Sequence, residues 1–374
     1  MKSTNVHIQP VQSKSEWKDF VKFPYRHYKK NPYWVPPLLA DQKVLLNPEK
    51  HPFYEHARVQ FFIAKKENKM AGRIAAIIDH NHNKVHQETT GLFGFFESIE
   101  SCEVAEGLLS AARNWVKDQG MTAFRGPVNP SQNEDCGLLV DAFDSPPVIM
   151  MPYNPPYYAD FFERFGLKKA MDLYAYYIDD KNPPPEKLVR VAETVRKNEK
   201  LTIRPINRND FENEAKKVWY IYNNAWSKNW GFVPMTEAEF HHLAKNLKPV
   251  VVPDIALIAE IDGKPIGFSL SLPDINQALL RTNGHLFPFG LIKLLWYSKK
   301  IDMIRIIILG VIHEYQKKGI DAIFYLDTWR NAVKKGYWKG EMSWVLENNE
   351  MMNRSAKMLG GRIYKTYRMY EMRL

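Results

Sequence analysis

The predicted strands and helices of this 374-residue sequence occur in the same order twice, and this duplication restricts the fold more than any other feature. In the second half, hydrophobic periodicity and turn signals predict a helix, a β-hairpin, a strand, a helix, a strand, a helix and a last strand. The first half predicts the same order, with a less distinct leading helix. Two α/β domains of related architecture, each with a mixed sheet, are therefore expected in tandem.

The composition changes at the segment DDKNPPPEK, which indicates a domain boundary. The first domain is predicted to span residues 1–180 and the second residues 181–374. Strands are predicted at 58–64, 72–78, 92–96, 122–125, 148–151, 173–178, 201–205, 255–261, 265–272, 304–309, 341–346 and 362–370. Helices are predicted at 103–118, 156–165, 209–225, 320–335 and 349–359, with another directly after Pro185.

Residues 24–54 are rich in proline and aromatic residues. Because proline interrupts both helices and strand ladders, an ordered but irregular collar is expected here, with one short helix at 40–46. A further short helix is expected to begin at Ser15 and to run toward Phe20.

The chain has a formal net charge of +10 and a pI of about 9.2, which favours polyanionic partners such as phosphate-rich ligands or an anionic membrane. No compact cluster of Lys and Arg is found, so specific nucleic-acid binding is not expected. The only cysteines are Cys102 and Cys136, which indicates a reducing compartment rather than a disulfide framework. Neither an apolar signal core nor a run of about 18 apolar residues occurs, so a cytoplasmic protein is expected.

The strongest single motif joins a buried strand to a helix through Gln316, Lys317, Lys318 and Gly319. Amide groups at the start of a helix, aided by the helix dipole, bind pyrophosphate, and a glycine lets the phosphate approach the backbone closely. The two lysines add positive charge. Short motifs of this kind also arise by chance in β-to-α connections, so the loop alone does not decide between a phosphate site and an ordinary turn.

A family resemblance extends this motif. The segment resembles the acyl-CoA-binding motif Q/R-x-x-G-x-G/A of the GNAT superfamily of N-acyltransferases: Gln316, Gly319 and Ile320 are in register, whereas Asp321 replaces the final Gly or Ala. Downstream, Asn349 opens the family's usual order of Asn, helix, Gly and last strand. The resemblance implies an acyl-CoA co-substrate that contacts Leu309, Gly310, Val311, Gln316, Lys317, Lys318, Gly319, Ile320, Asp321 and Asn349.

The first half resembles the same superfamily more weakly. The segment MMPYNPPYYADFFERFGLKKAMDLYAYYI has the strand, helix, Gly and strand order, with Asn154 and Gly166 in the analogous places. Since no Q-x-x-G-x-G loop precedes the helix at 103–118, this half is expected to be a degenerate copy that serves the substrate or the interface. Tandem copies occur in Fem-type aminoacyl transferases and in bacterial lipid N-acyltransferases similar to ceramide synthases. The segments KNPYWVPPL, GRIAAIIDHNHN and GLFGFFES are closest to the second group.

Candidate catalytic groups follow from the chemistry of amine acylation. Glu347 comes directly after a predicted strand and is the preferred general base, because an attacking amine must lose a proton; His313 is the second choice. A glutamate at position 347 is equally expected if its only role is to stabilise the N-terminus of the helix that follows. Many relatives use a Tyr of the last helix as the acid, but Ala356 occupies that place here. Tyr364 and Tyr367 are the replacements considered, unless they only pack in the last strand.

Polar residues of the first half follow an inner strand, where side chains at strand ends line crevices. The predicted substrate contacts are Asn129, Ser131, Asn133, Asp141, Tyr153 and Asn154, with a network of turn caps as the alternative. The run Asp79-His80-Asn81-His82, followed by His86, contains residue types that bind metals. Its spacing is more typical of a solvated hairpin or polar pocket, so no metal is predicted.

Residues 285–300 (HLFPFGLIKLLWYSKK) form an apolar, aromatic stretch that ends in lysines. A core helix is the preferred interpretation, ahead of a segment that lies on a membrane or covers an acyl chain.

These features together predict an acyl-CoA-dependent N-acyltransferase. An amine that enters between the two halves would attack the thioester, and a backbone amide near Gly310 or Val311 would stabilise the oxyanion. A small-molecule or lipid amine is the expected acceptor, with a lipid or amphipathic amine preferred and with peripheral contact to an anionic membrane at its inner face. Two other functions stay open: a Fem-like transferase that uses aminoacyl-tRNA, and a catalytically degenerate binding protein.

Overall fold

A computed structural model describes residues 6–181 and 183–374 of the chain. Residues 1–5 of the opening segment and Asn182 of the predicted boundary lie outside the described residues. The strands are β1 Val6–Pro10, β2 Ala57–Lys66, β3 Lys69–Asp79, β4 Thr90–Ser98, β5 Ala123–Gly126, β6 Val128–Asn129, β7 Asp135–Cys136, β8 Leu138–Leu139, β9 Lys168–Asp179, β10 Leu201–Pro205, β11 Ala256–Ile261, β12 Lys264–Pro273, β13 Met303–Val311, β14 Lys339–Leu346 and β15 Arg362–Arg373. The α-helices are α1 Lys14–His27, α2 Leu39–Leu45, α3 His80–His86, α4 Cys102–Asp118, α5 Tyr157–Arg164, α6 Glu186–Arg196, α7 Phe211–Ala225, α8 Glu237–Leu247, α9 Asn276–Leu279, α10 Gly290–Ser298, α11 Ile320–Lys334 and α12 Glu350–Met358.

The chain divides into two compact units. The first contains the chain up to Leu173 together with Leu279–Ile292 and Lys365–Leu374, and the second contains Tyr174–Ala278 and Lys293–Tyr364. The division passes through β9, β15, α9 and α10. The domain boundary at residues 180 and 181 stays a prediction.

In the first unit, β1 to β4 form an antiparallel ladder in chain order, and β5 joins β4 in parallel. Helix α4 packs on this sheet and buries Val104, Leu108 and Ala112, which recur at helical spacing, among the strand side chains. Residues 370–373 of β15 pair with β5 in the antiparallel sense.

In the second unit, β10 to β13 form an antiparallel ladder, and β14 joins β13 in parallel. Helices α6, α11 and α12 bury Leu188, Ile323 and Ala356 in one cluster with Met342 of β14. The order β10, α7, α8, β11, β12, β13, α11, β14, α12, β15 parallels the order β1, α1, β2, β3, β4, α4, β5, α5, β9. The predicted mixed α/β fold with two copies of one element order is confirmed.

Helix α1 continues past Pro24, so the prediction that an irregular collar begins there is wrong. Ser13, rather than Ser15, caps the helix as part of a capping box. Pro24 lacks the N–H that would bond to the carbonyl oxygen of Phe20. Nη1 of Arg73 donates to that oxygen instead, at 3.0 Å, so a buried side chain replaces the missing backbone donor.

One further predicted element is absent from the structure. The stretch predicted as a strand at 148–151 is a turn: the N–H of Met151 donates to the carbonyl oxygen of Val148 at 3.1 Å, and Met150 has a φ of 58°. Strand β1 and helix α8 were not predicted, although α8 begins with a capping box at Thr236, which is a readable sequence signal.

The histidine-rich run forms helix α3 with Asp79 as its N-cap, so a solvated hairpin, one of the two predicted alternatives, is wrong. The other alternative, a polar pocket, is consistent with His82, which is buried and contacts Glu88. Within residues 6–181 and 183–374, no group of three or more His, Cys, Asp or Glu side chains is placed to hold a metal ion. Nor does any helix in that part of the chain have the length and hydropathy needed to cross a membrane. The stretch at 285–300 contains α10, but most of its apolar side chains are exposed, so its preferred interpretation as a core helix is wrong.

Candidate active site

Strands β13 and β14 lie side by side over four residues. Met303–Ile306 pair in parallel with Lys339–Met342, and the described residues of the two strands form no further pairs with each other. A cleft with a volume of about 400 Å³ opens where they part, and later residues of both strands line it. Because the facing backbone amides and carbonyls there lack a strand partner, an extended ligand can hydrogen-bond to both edges.

Helix α11 begins at this cleft, and its N-cap Gly319 has a φ of 78°. A β-carbon at this position would lie 2.9 Å from Cγ2 of Val195 and 3.0 Å from Cγ1 of Val191, so both the backbone conformation and the packing require glycine. The first N–H groups of a helix lack intrahelical partners and carry the positive end of its dipole. Since Ile320 and Asp321 line the cleft, these donors lie at its edge.

The structure brings most of the predicted co-substrate residues together around the cleft. Those that line it are Leu309, Gly310, Val311, Gln316, Lys317, Ile320, Asp321 and Asn349. Nε2 of Gln316 donates to the carbonyl oxygen of Val311 at 3.0 Å, which fastens the loop to the end of β13. Lys318 and Gly319 are outside this lining set, and Nζ of Lys318 lies 4.6 Å from the ring centroid of Tyr315.

Aromatic residues that had no sequence signal also line the cleft, among them Trp226 and Tyr325. A β-carbon on Gly310 would lie 2.3 Å from Cη2 of Trp226, so the indole that follows α7 packs directly on the backbone of β13. The buried hydroxyl of Tyr325 donates to Sδ of Met352 at 3.6 Å. Burial, together with the charge of Asp321, raises the pKa of Tyr325 above that of an ordinary tyrosine.

The predicted catalytic residues lie in different surroundings. His313 lines the cleft, and its Nε2 lies 3.2 Å from Oγ of Ser227. Glu347 and Tyr364 do not belong to the described residues that line it. The hydroxyl of Tyr364 donates to the carboxylate of Glu341. His313 is thus the predicted catalytic side chain that the cleft itself contains.

A buried polar network on β13 and β14 adjoins the cleft at Ser343. Arg305 is 2% exposed and Glu341 is 1% exposed. Nε of Arg305 donates to Oγ of Ser343 at 2.9 Å, and the hydroxyls of Ser343 and Tyr364 both donate to the Glu341 carboxylate. Sequence reasoning missed this network, although a charged residue inside each of two buried strands was a signal for it.

Comparison with known proteins finds relatives along the whole chain. It is 38% identical over 372 residues to Protein YghO of Escherichia coli (strain K12), which covers 97% of this chain and 94% of that protein. It is 37% identical over 378 residues to the bacterial ceramide synthase of Caulobacter vibrioides (strain NA1000 / CB15N), which covers 99% of this chain and 98% of that protein. No family model matches.

A solved structure has the same duplicated fold. The tandem GNAT protein from the clavulanic acid biosynthesis pathway superposes with a TM-score of 0.58 at 10% identity, over 99% of this chain and 98% of its own. The chain belongs to the family of the bacterial ceramide synthase, and its fold is that of a tandem GNAT protein. The predicted tandem GNAT fold is thereby confirmed, and the cleft between β13 and β14 lies in its second copy.

In the first GNAT copy, the place that corresponds to the cleft is occupied by backbone of the same copy. Strands β4 and β5 also pair in parallel over a short stretch only. Beyond it, a β-carbon on Gly94 would lie 1.5 Å from the carbonyl oxygen of Val128, and Oδ1 of Asn129 accepts a hydrogen bond from the N–H of Phe95. In the first copy, residues 128 and 129 therefore lie against β4, and the N–H of Phe95 is satisfied internally.

The residues predicted to contact substrate bind the first copy's own backbone. Oδ1 of Asp141 accepts from the N–H of Thr366 at 2.6 Å, and Asn154 bonds to the N–H and the carbonyl of Leu139 at 2.8 and 3.0 Å. The other contacts are of the same kind and join Asn129 to Phe95, Ser131 to Asn133, and Tyr153 to Phe143. Only the bond between Ser131 and Asn133, two residues apart, is typical of a turn cap. The other bonds join residues that are 10 to 225 positions apart in sequence, and a substrate role for the six residues stays a prediction.

The first GNAT copy also encloses a carboxyl group that sequence reasoning missed. Glu97 accepts hydrogen bonds from the hydroxyls of Tyr28 and Tyr158 at 2.5 and 2.9 Å, and it lies 3.9 Å from Nη2 of Arg73. Burial raises the pKa of Glu97 to about 7, although Arg73 and the two hydroxyls act in the opposite direction. This carboxyl group therefore changes its charge close to neutral pH.

The buried network of the second GNAT copy gives a stability prediction. Replacing Arg305 with Ala leaves the Glu341 carboxylate buried without its cation, so we expect the free energy of unfolding to fall by about 3–5 kcal/mol, measured by urea denaturation. Arg354→Ala is the matched control, because Arg354 pairs with Glu350 on an exposed helix surface at 3.0 Å and such pairs contribute little. Equal effects of the two substitutions would show that Arg305 does not stabilise the buried carboxylate.

Proposed function

We propose that this protein is an acyl-CoA-dependent N-acyltransferase that acylates a lipid or amphipathic amine. The general class, an N-acyltransferase, accords with its GNAT family; the thioester donor and the kind of amine are the finer parts of the proposal. The observation that carries it is the cleft between β13 and β14, which begins at the N-terminus of α11. Such a cleft offers helix donors to a phosphate group and strand edges to an extended chain.

The charges at the cleft fit a donor that carries a pyrophosphate. Lys228 and Lys317 both line it, and the free N–H groups of α11 lie at its edge. Asp321 lines it too and repels an anion, but its single negative charge is outweighed by the two lysines and the helix dipole. We therefore assign donor binding to the Gln316–Asp321 loop, with Asn349 on the opposite wall.

The proposed reaction forms an amide and releases a thiol. The amine nitrogen attacks the carbonyl carbon of the thioester, the C–N bond forms, and the C–S bond breaks with its electron pair going to sulfur. The amine gives up a proton and the departing thiolate takes one from solvent. A backbone amide of β13 near Gly310 or Val311, on the edge that faces the cleft, would stabilise the oxyanion.

His313 is the general base that the geometry favours. Its imidazole lines the cleft just after β13 ends, and imidazole is the side chain that most often serves in this role. Glu347, which the sequence favours, remains the competing candidate. Glu341 offers a second route for the proton, since Ser343 lines the cleft and donates to its carboxylate, with Tyr364 as a further donor to that carboxylate.

Tyr325 is a suitable partner for the departing sulfur. Its hydroxyl already donates to a thioether sulfur, Sδ of Met352, and a tyrosine hydroxyl, whose pKa burial raises further here, carries its proton at neutral pH. A neutral hydroxyl that donates a hydrogen bond stabilises a developing thiolate without a complete proton transfer. This role replaces that of the family's tyrosine, whose position is occupied by Ala356.

The acceptor part of the proposal rests on the relatives. The Caulobacter protein that covers almost the whole chain is named a ceramide synthase, which supports a lipid amine as the acceptor. An acyl-CoA donor is consistent with a cytoplasmic reaction, with peripheral contact to an anionic membrane at its inner face.

The first test addresses the donor site. We expect calorimetric titration to show saturable binding of CoA, acetyl-CoA or palmitoyl-CoA, and we expect Gly319→Glu to lower the affinity by about 100-fold or more, because it adds a negative charge and a clash at the helix start. Gly263→Glu is the matched control: Gly263 has a φ of 75° in a turn, and a β-carbon added there would have no other atom within 4 Å. Absence of binding to all three ligands would contradict the donor assignment and favour an aminoacyl-tRNA-dependent transferase or a binding protein.

The second test addresses the general base. We expect His313→Gln to lower kcat by about 100-fold, with little change in the KM for palmitoyl-CoA, in an assay that measures release of the CoA thiol with a long-chain primary amine. His241→Gln is the control, because His241 pairs with Glu212 on an exposed surface. A large loss in Glu347→Gln with normal activity in His313→Gln would assign the base to Glu347 instead.

The third test addresses the leaving group. Tyr325→Phe removes the hydroxyl but keeps the ring, so we expect kcat to fall by about tenfold or more while the calorimetric affinity for CoA is retained. Tyr220→Phe, at a half-exposed position of α7, is the matched control. Unchanged kcat in Tyr325→Phe would exclude this hydroxyl from the reaction.

A further inference from the structure

The segment from Phe287 to Lys300, here called the apolar arm, exposes more large apolar side chains than any comparable described stretch of the chain. Its most exposed side chains are Phe287 (81%), Phe289 (67%), Ile292 (65%), Trp296 (63%) and Leu295 (60%). Single exposed apolar residues are ordinary, but a contiguous group of this size marks an interaction surface.

The exposure follows one face of helix α10. Leu291, Ile292, Leu295 and Trp296 stand at positions i, i+1, i+4 and i+5, which share one side of an α-helix. These four side chains are exposed, whereas Leu294 and Tyr297 on the opposite side are partly buried. The helix is therefore held by one face and presents an apolar face to solvent.

The charge of the apolar arm indicates which kind of partner it binds. Lys293, Lys299 and Lys300 lie in the arm, and no Asp or Glu occurs from His285 to Lys300. Nζ of Lys300 lies 5.8 Å from the ring centroid of Trp296, so cation and indole are neighbours. Aromatic and aliphatic side chains flanked by lysines are typical of helices that lie in the interface of anionic membranes.

We propose that the apolar arm binds the surface of an anionic lipid bilayer, with the exposed face of α10 and the two phenylalanines in the interface and the three lysines at the headgroups. The inference deepens the membrane contact of the proposed function by naming the segment that makes it. It does not depend on the proposed reaction, because membrane binding requires neither acyl-CoA nor catalysis. It would allow an amine that resides in a membrane to be acylated where it is.

A second copy of the chain fits this surface less well. A two-fold interface brings the same patch of both copies together, so the three lysines of one arm would face those of the other without any acidic residue of the arm between them. Anionic headgroups instead neutralise these charges. The bilayer is therefore the occupant that matches both the apolar face and the charge.

The test is flotation of the full-length protein with vesicles, without substrates. We expect binding to phosphatidylcholine vesicles that contain about 30% phosphatidylglycerol, and at least about tenfold weaker binding to pure phosphatidylcholine or in about 500 mM salt. The triple substitution Phe287→Ser, Ile292→Ser, Trp296→Ser should weaken binding by at least about tenfold. Replacing Lys293, Lys299 and Lys300 with Gln should remove the preference for the anionic vesicles.

Two matched controls separate the arm from general surface properties. Val85→Ser with Tyr220→Ser removes exposed apolar side chains elsewhere, and Lys187→Gln, Lys197→Gln, Lys264→Gln removes three exposed charges elsewhere; both should retain binding. Failure to bind anionic vesicles, or equal binding by the arm variant and its control, would overturn the proposal. So would a dimer in sedimentation experiments that the arm variant abolishes, since the face would then be covered by a second copy. The calorimetric test of donor binding does not depend on the outcome of the vesicle or sedimentation experiments.

Discussion

The parting of β13 and β14 after Ile306 and Met342 is the constraint on which the rest of the site depends. A parallel pair normally continues its evenly spaced hydrogen bonds along both strands. Where the pair stops, backbone donors and acceptors need other partners, because leaving them unpaired in a protein interior is costly. Side chains satisfy some of them, as Gln316 does for the carbonyl oxygen of Val311 and Arg305 for that of Ser343, and water or a ligand can satisfy others. The cleft is therefore built from main-chain groups, and the side chains around it adjust its charge and its chemistry.

The two copies show how one architecture can have this opening or close it. In the first, Gly94 lets the carbonyl of Val128 approach to a distance that any β-carbon would forbid, and the Asn129 amide satisfies the N–H of Phe95. In the second, the corresponding strands remain apart and a glycine-capped helix begins beside them. The difference between a closed copy and an open one thus lies in a few backbone contacts, with the order of elements unchanged.

The features that could be predicted from the sequence are those encoded by local spacing. The duplicated element order and the loop from Gln316 to Asp321 depend on hydrophobic periodicity and on a glycine at a helix start, which neighbouring residues specify. Helix α1 could not be predicted past Pro24, because the group that compensates for the proline is Arg73, distant in sequence. The exposure of the apolar arm could not be predicted for a related reason: apolar content predicts burial, but it does not distinguish a core helix from a helix that binds a lipid surface.

The network of Arg305, Ser343 and Glu341 could be suspected from charges inside buried strands, but its members could not be paired from the sequence. Their contact depends on the register of β13 against β14, in which Arg305 stands opposite Glu341. Two ions buried this deeply are tolerated only when their hydrogen bonds are satisfied. The hydroxyls of Ser343 and Tyr364 supply those bonds. The network therefore holds both the Glu341 carboxylate and Ser343, which lines the cleft, in place.

The absence of a tyrosine on α12 is best understood together with the presence of Tyr325 on α11. Ala356 is fully buried and belongs to the same hydrophobic cluster as Tyr325. In a close-packed cluster, a tyrosine at position 356 would have to displace neighbouring side chains, which costs free energy. The small residue on one helix and the aromatic residue on the other are therefore one packing arrangement, in which a hydroxyl still lines the cleft but is carried by the helix that also supplies the N-terminal amides.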